Sequence, residues 1–222
     1  MTFLGVSLYS WYFIESSYLR IGIFSVGLLM TFIAIYFAFS LLYGSLVLKF
    51  RERDWLMENV RITGEEKVLD VGCGQGLLTI AIAQKLSKEE VVGIDIWSSS
   101  DQSNNSPEMT LSNAKAEGVT EKVRLVTASA QEMPFDNGHF DLIVSSWALH
   151  NISSLKERRR ALDEIDRVLK EGGRVALMDI YYTKEYADYF IEKGYRKVHT
   201  LGPRYTFGNP TYLVLAEKPS PA

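Results

Sequence analysis

The chain has 222 residues, a net charge of −3 and 23% charged side chains. That is room for one domain of ordinary size plus an appendage, and it gives no electrostatic reason to expect a nucleic-acid partner. A single cysteine, Cys73, excludes an intrachain disulfide; with three scattered histidines, His139, His150 and His199, it makes no metal-ligand spacing, so no metal is expected.

Residues 1–50 differ from the rest. From Ile21 to Leu48 no residue is charged. A helix that crosses a bilayer needs about 20 apolar residues, so a span over about 21–48 has length to spare. Its apolar residues run all round the helix, unlike the single stripe of a surface helix. Lys49, Arg51 and Arg53 follow the span, and Arg20, with Glu15 nearby, precedes it. The positive-inside rule then puts the C-terminal side in the cytoplasm. Tyr9, Trp11, Tyr12 and Tyr18 stand where an aromatic belt would lie on the far side. Residues 1–14 are apolar but too short to cross in helical form. A buried packing helix of a soluble protein is a second reading. A cleaved signal peptide is a third, though it lacks a basic leading segment and its apolar core is too long. The expected organisation is a single-pass anchor over 1–50 and a domain over 51–222 on the cytoplasmic side.

Residues 50–63 read as an amphipathic juxtamembrane helix or a plain connector. Next comes Val68-Leu-Asp-Val-Gly-Cys-Gly-Gln-Gly76, an apolar run that stops in alternating glycines, followed by a helical pattern from Leu77. Strand (67–71), glycine turn and helix (76–87) form the nucleoside-binding corner of a doubly wound sheet. Gly72, Gly74 and Gly76 remove side chains where the chain must bend and a ligand must touch backbone. Asp70 precedes the first glycine by two residues. An acid there repels a pyrophosphate and suits a cationic ligand with an ammonium group, which disfavours a nicotinamide dinucleotide. Cys73, inside the turn, reads as a small buried filler.

The alternation then continues. Strands are expected at 91–95, 123–127, 140–145 and 173–179, and helices at about 107–117, 155–169 and 183–194. The entry Ser103-Asn-Asn-Ser-Pro107 carries capping residues and an early proline. Two last strands, about 195–200 and 211–217, flank a Gly/Pro-rich turn and can form an antiparallel edge pair. The fold class is α/β: a Rossmann-like, doubly wound, mostly parallel seven-stranded sheet with an antiparallel edge strand and helices on both faces. Asp95 ends the second strand, where a carboxylate can accept both hydroxyls of a ribose.

At Val68–Gly76 the sequence resembles the first motif of the class I S-adenosylmethionine-dependent methyltransferases. Thr127-Ala-Ser-Ala-Gln-Glu-Met-Pro-Phe135 resembles their third motif, Phe140–Ile152 the fourth, and Ile165–Val175 the helix–turn–strand after it. The resemblance covers about 64–180, more loosely to 217, and is nearest to the ubiquinone-biosynthesis type, which acts on small or lipophilic acceptors. It implies S-adenosylmethionine as cofactor, with Asp70 and the three glycines at its methionine end and Asp95 at its ribose. In the third motif an acid often meets the adenine amino group. Here Ser129, followed by Ala130, takes that place, and a hydroxyl bonds more weakly than a carboxylate. Ile96 and Trp97 are candidates to pack on the adenine, Trp97 equally as core or rim. Ser145 would sit near the methyl group.

The sulfonium methyl is already activated, so such an enzyme mainly aligns its reactants and excludes water. An acceptor with a proton to lose also needs a base. His150, past the fourth strand, is the candidate base or acceptor-positioner; Tyr181 and Tyr182 would wall the acceptor pocket. The expected function is a membrane-anchored methyltransferase for a small-molecule or lipid acceptor. The alternatives are an anchored protein methyltransferase and a non-catalytic cofactor-binding scaffold, the latter supported only by Ser129. Nothing in the sequence sets an oligomeric state.

Overall fold

The computed structural model describes residues 16–98, 105–206 and 209–220. The expectations for residues 1–14 and Glu15, and for Ser103 and Asn104 of the helix entry, lie outside those residues. The chain divides into two compact units, Met1–Lys49 and Phe50–Ala222.

In the first unit, helix α1 (Ser17–Tyr43) runs into a π-helical turn at Gly44–Leu48. Thr31 satisfies its hydroxyl inside the helix, donating to the Gly27 carbonyl at 2.8 Å. The helical stretch Ser17–Val60 holds an 18-residue window of mean hydropathy 2.2, and by length and composition it can cross a membrane or serve as a signal sequence. Phe32, Phe37, Phe39 and Leu41 of α1 are exposed, which is not how the core helix of a soluble domain is built.

The second unit begins one residue into α2 (Lys49–Val60), which buries Glu52, Leu56 and Val60. That spacing of four puts them on one stripe. Then follow β1 (Val68–Val71), α3 (Leu77–Ala83), β2 (Val91–Asp95), α4 (Pro107–Ala116), β3 (Val123–Thr127), β4 (Phe140–Ser146), α5 (Leu155–Val168), β5 (Leu169–Asp179), α6 (Thr183–Glu192), β6 (Arg196–Thr206) and β7 (Asn209–Glu217). The strand order is β3-β2-β1-β4-β5-β7-β6. β1 to β5 pair in parallel; β7 is antiparallel to both β5 and β6.

Both faces of the sheet are covered, so its central strands are buried throughout: all four residues of β1 are. Successive residues alternate between the two layers. Leu69, Ile143, Val175 and Leu177 pack with Leu162 and Ile165 of α5 and Tyr186 and Phe190 of α6. Val68, Leu142, Val144 and Met178 pack with Leu56 and Val60 of α2, Leu78 and Ile82 of α3, and Ala114 of α4. Each fully buried Leu or Ile contributes about 1.5–3 kcal/mol. Residues 49–60 are thus a packed layer of the domain rather than a plain connector.

Two expectations need correction. The last two strands form the expected antiparallel pair at the edge, but the strand antiparallel to the others is not the outermost one. β7 lies between β5 and β6, and the edge strand β6 runs in the same direction as β1–β5. The reason is apolar: Leu213 and Val214 of β7 are fully buried, so β7 takes the inner place and β6 folds back outside it. The fifth strand also starts earlier than expected, at Leu169, because Leu169 pairs with Phe140 before a register shift brings Arg174 opposite Leu142.

Candidate functional site

The strand order reverses between β1 and β4, and ligands of open α/β sheets bind at the carboxyl ends of strands at such a point. The glycine turn follows β1 there. Gly72, Gly74 and Gly76 all have positive φ (74°, 51° and 86°), which L side chains rarely adopt. The amide hydrogens of Gly72 and Cys73 both go to the Ile94 carbonyl (2.8 and 3.0 Å), stitching the turn to the end of β2. A Cβ on Gly72 would lie 2.2 Å from the Cβ of Ala148, so the turn touches the segment that follows β4. From the other side, α4 holds the turn: Thr110 Oγ1 donates to the Gly74 carbonyl at 2.7 Å and Asn113 Nδ2 to the Gln75 carbonyl at 3.0 Å. Ser106 caps α4, accepting the Met109 amide hydrogen, with Pro107 in its first turn.

Asp70 is 1% exposed and accepts a hydrogen bond from Thr79 Oγ1 of α3 at 2.6 Å. Burial pushes its carboxyl up to about 7; the Thr79 bond opposes that, and the charge of Asp95 adds to it. Asp95 takes the Gly74 amide hydrogen on Oδ2 (2.9 Å), and on Oδ1 the Trp97 amide hydrogen (2.7 Å) and Asn105 Nδ2 (3.2 Å). Asn105 Oδ1 is buried beside it with no hydrogen-bond partner among the described residues. A sugar hydroxyl at this end of β2 would supply the missing donor. Past Asp95, Ile96 is 62% exposed. Trp97 has a left-handed φ of 58° and its indole donates to Thr127 Oγ1 at 2.8 Å, bridging the ends of β2 and β3. Ser129 is taken up locally: its hydroxyl bonds Gln131 Oε1 and accepts the Gln131 amide hydrogen. Ala130 packs partly against the core.

On the β4 side, Ser145 is buried and its hydroxyl donates to the Val71 carbonyl at 2.8 Å, tying β4 to β1. Trp147 is left-handed (φ 53°), and its buried indole Nε1 has no partner among the described residues. His150 lies in a short 3₁₀ turn, Leu149–Asn151. Its Nδ1 is 2.5 Å from Asp179 Oδ1, and its backbone N–H donates to Asp179 Oδ2 at 3.0 Å. Asp179 ends β5, is 1% exposed, and also accepts from the Ile180 amide (2.8 Å) and the Tyr186 hydroxyl (3.3 Å). Burial first, then the Asp179 charge, push the Tyr186 phenol well above its ordinary range, which keeps it a donor. The His150 and Tyr181 rings meet edge-to-face, centroids 6.1 Å apart, with Tyr181 53% exposed.

Arg158 of α5 locks this side together. It donates to the carbonyls of Ile152 (2.7 Å) and Ser153 (2.9 Å), pairs with Glu185 at 2.9 Å, and stacks 3.5 Å above the Tyr182 ring. Sequence reasoning missed Asp179, Asn105 and Arg158. Asp179 alone left a signal, an acid on the last residue of a parallel strand, where ligands gather. Among the described residues no cluster of His, Cys, Asp and Glu could hold a metal.

The glycine turn at the switch point, the acid at the end of β2 and the covered, mostly parallel sheet define a nucleoside-binding, doubly wound α/β domain. Residues 69–177 match the family described as a methyltransferase domain. Over 130 residues the chain is 32% identical to the demethylmenaquinone methyltransferase of Lactiplantibacillus plantarum, covering 57% of this chain and 50% of the relative. It is 30% identical to the chloroplastic 2-phytyl-1,4-beta-naphthoquinone methyltransferase of Arabidopsis thaliana, covering 64% and 53%. The fold is also that of an S-adenosylmethionine-dependent methyltransferase from Aquifex aeolicus, with a TM-score of 0.57, 17% identity, and coverage of 74% of this chain and 88% of that one. The chain spans about half the length of these two curated relatives. It carries an S-adenosylmethionine-dependent methyltransferase domain, with S-adenosylmethionine as the cofactor.

Proposed function

We propose that the whole chain is a membrane-anchored methyltransferase that acts on a small, lipophilic acceptor. Asp95 spanning the glycine turn is the observation that carries the cofactor half of this reading. The backbone of Gly72–Gly76, with Asp70 behind it, would receive the methionine end of S-adenosylmethionine. Asp95 and Asn105 would receive the ribose, and Ile96 with the Ser129–Ala130 segment the adenine. When bound, the cofactor supplies an electrophilic methyl group and a neutral leaving group. Ser145 holds β4 to β1 beneath the place where turn and acceptor segment touch. His150 serves as base or acceptor-positioner, and Tyr181 and Tyr182 border the acceptor.

Two relatives whose names specify quinone-type substrates, together with the apolar helix α1, support an acceptor that resides in lipid. Lys49, Arg51 and Arg53 after the span favour a cytoplasmic domain. A protein acceptor at the membrane is the competing reading. Membranes containing the protein, incubated with methyl-labelled S-adenosylmethionine and then partitioned, decide between them: label in the organic phase supports the proposal, and label confined to the protein pellet overturns it. Carbonate washing should leave the chain in the membrane; release would remove the anchor.

A further inference from the structure

We infer that Asp179 is a positioning residue that presents His150 as a base through Nε2, and that the acceptor is therefore a phenol-like hydroxyl, which must shed a proton as it gains the methyl. This rests on the methyltransferase reading above and narrows its substrate.

The geometry fixes the tautomer. Asp179 accepts from the His150 amide, the Ile180 amide and the Tyr186 hydroxyl, so its carboxylate is a hydrogen-bond acceptor on every side. An Oδ1 only 2.5 Å from His150 Nδ1 then requires the proton on Nδ1. In a neutral imidazole that leaves the lone pair on Nε2, which has no hydrogen bond among the described residues. The buried carboxylate also stabilises the imidazolium that forms when Nε2 takes a proton. The His150 side chain is 19% exposed, so the proton can pass on to water after each turnover.

Charge balance restricts the acceptor to a group that sheds a proton, of which a phenol-like hydroxyl is the simplest. The acceptor oxygen gives its proton to Nε2 and an electron pair to the methyl carbon; the carbon–sulfur bond breaks with its electrons on sulfur. Positive charge thus disappears at sulfur as it appears on the imidazole, and the ether formed is neutral. An amine could accept the methyl through its lone pair without a base, whereas a neutral hydroxyl could not do so without becoming an oxonium. A phenol, near pKa 10, is a far stronger acid than an aliphatic alcohol, so it is the hydroxyl that a neutral imidazole base can deprotonate.

The test uses the full chain in detergent micelles, methyl-labelled S-adenosylmethionine, and a series of substituted phenols and hydroquinones of graded acidity. Asp179→Asn offers Nδ1 an amide and reverses the tautomer; His150→Gln removes the base at a partly exposed position, should Asp179→Asn fail to fold. Both should cut turnover on weakly acidic phenols about 100-fold or more. The loss should shrink to within about 5-fold for nitrophenols that are ionised in the assay, with S-adenosylhomocysteine affinity within about 2-fold of wild type. Independently of activity, ¹⁵N spectra of the cofactor-free protein should show His150 protonated at Nδ1. Equal losses across the series, no loss, or a proton on Nε2 would overturn the inference. So would a wild type that binds S-adenosylhomocysteine and methylates none of the phenols, and that result would leave the cofactor reading standing. Absence of S-adenosylhomocysteine binding would instead overturn the methyltransferase reading itself.

Discussion

Asp95 holds the backbone of Gly74: its Oδ2 accepts the Gly74 amide hydrogen at 2.9 Å while its Oδ1 accepts that of Trp97 at 2.7 Å. The acid that ends the second strand is therefore a splint for the turn after the first. Asp95→Ala should lose cofactor binding and stability together. Loss of three bonds, from the Gly74 and Trp97 amides and from Asn105 Nδ2, predicts about 3 kcal/mol of destabilisation, and isothermal titration with S-adenosylhomocysteine should show affinity weakened by at least 30-fold (about 2 kcal/mol). A variant with wild-type melting and lost binding would show that the splint contributes nothing to the fold.

The glycines should differ sharply in tolerance. Gly72→Ala combines a φ of 74° with a Cβ placed 2.2 Å from that of Ala148. Left-handed strain of about 1–2 kcal/mol and overpacking of similar size predict about 3 kcal/mol, or roughly 10 °C in melting temperature. Any folded fraction should turn over slowly, because the clash presses on the segment that carries His150. Gly118→Ala has a similar φ of 70° but no atom within 4 Å, so it should cost only about 1 kcal/mol. Comparable melting of the two variants would count against this packing.

Asp70 gives a pH dependence of definite sign. Its folded-state value of about 7 stands above the ordinary 3.8, so between those values the folded state holds a proton that the unfolded state has lost. Stability of the cofactor-free domain should therefore fall as pH rises from about 4 to about 7, then level off. Cofactor binding should run the other way. A ligand with an ammonium and a sulfonium favours the ionised carboxylate, so affinity for S-adenosylmethionine should rise through the same interval with release of a proton. Asp70→Asn should flatten both profiles; slopes that survive it would assign the linkage to another group.

Cys73 should be chemically silent. It is buried, and burial, with the nearby charges of Asp70 and Asp95, pushes its thiol far above the ordinary range. Iodoacetamide at neutral pH should label the unfolded chain and leave the folded one unmodified. Stoichiometric labelling without loss of structure would refute that.

The strand–helix alternation was legible because it depends on local apolar patterning, and β2 and β3 fall on their expected bounds. The glycine turn and Asp95 were legible because the chemistry of that corner lies in one short stretch and one strand end. The inner place of β7 was not, since pairing between β5 and β7 is a long-range choice made by Leu213 and Val214 rather than by the turn. Nor was Asp179, whose meaning depends on a residue 29 positions away. The strand-end position of Ser145, on which its expected place near the methyl rests, is visible in the sequence; the bond from its hydroxyl to the Val71 carbonyl is not.

The inner place of β7 bears on biosynthesis. β6 is made before β7 yet among the described residues has no sheet neighbour except β7, so it must wait unpaired while the ribosome completes the strand that goes inside it. Nascent chains halted between Thr206, where β6 ends, and Glu217, where β7 ends, should thus expose β6 and the flank of β5 together, leaving two unpaired edges that a chaperone could cover.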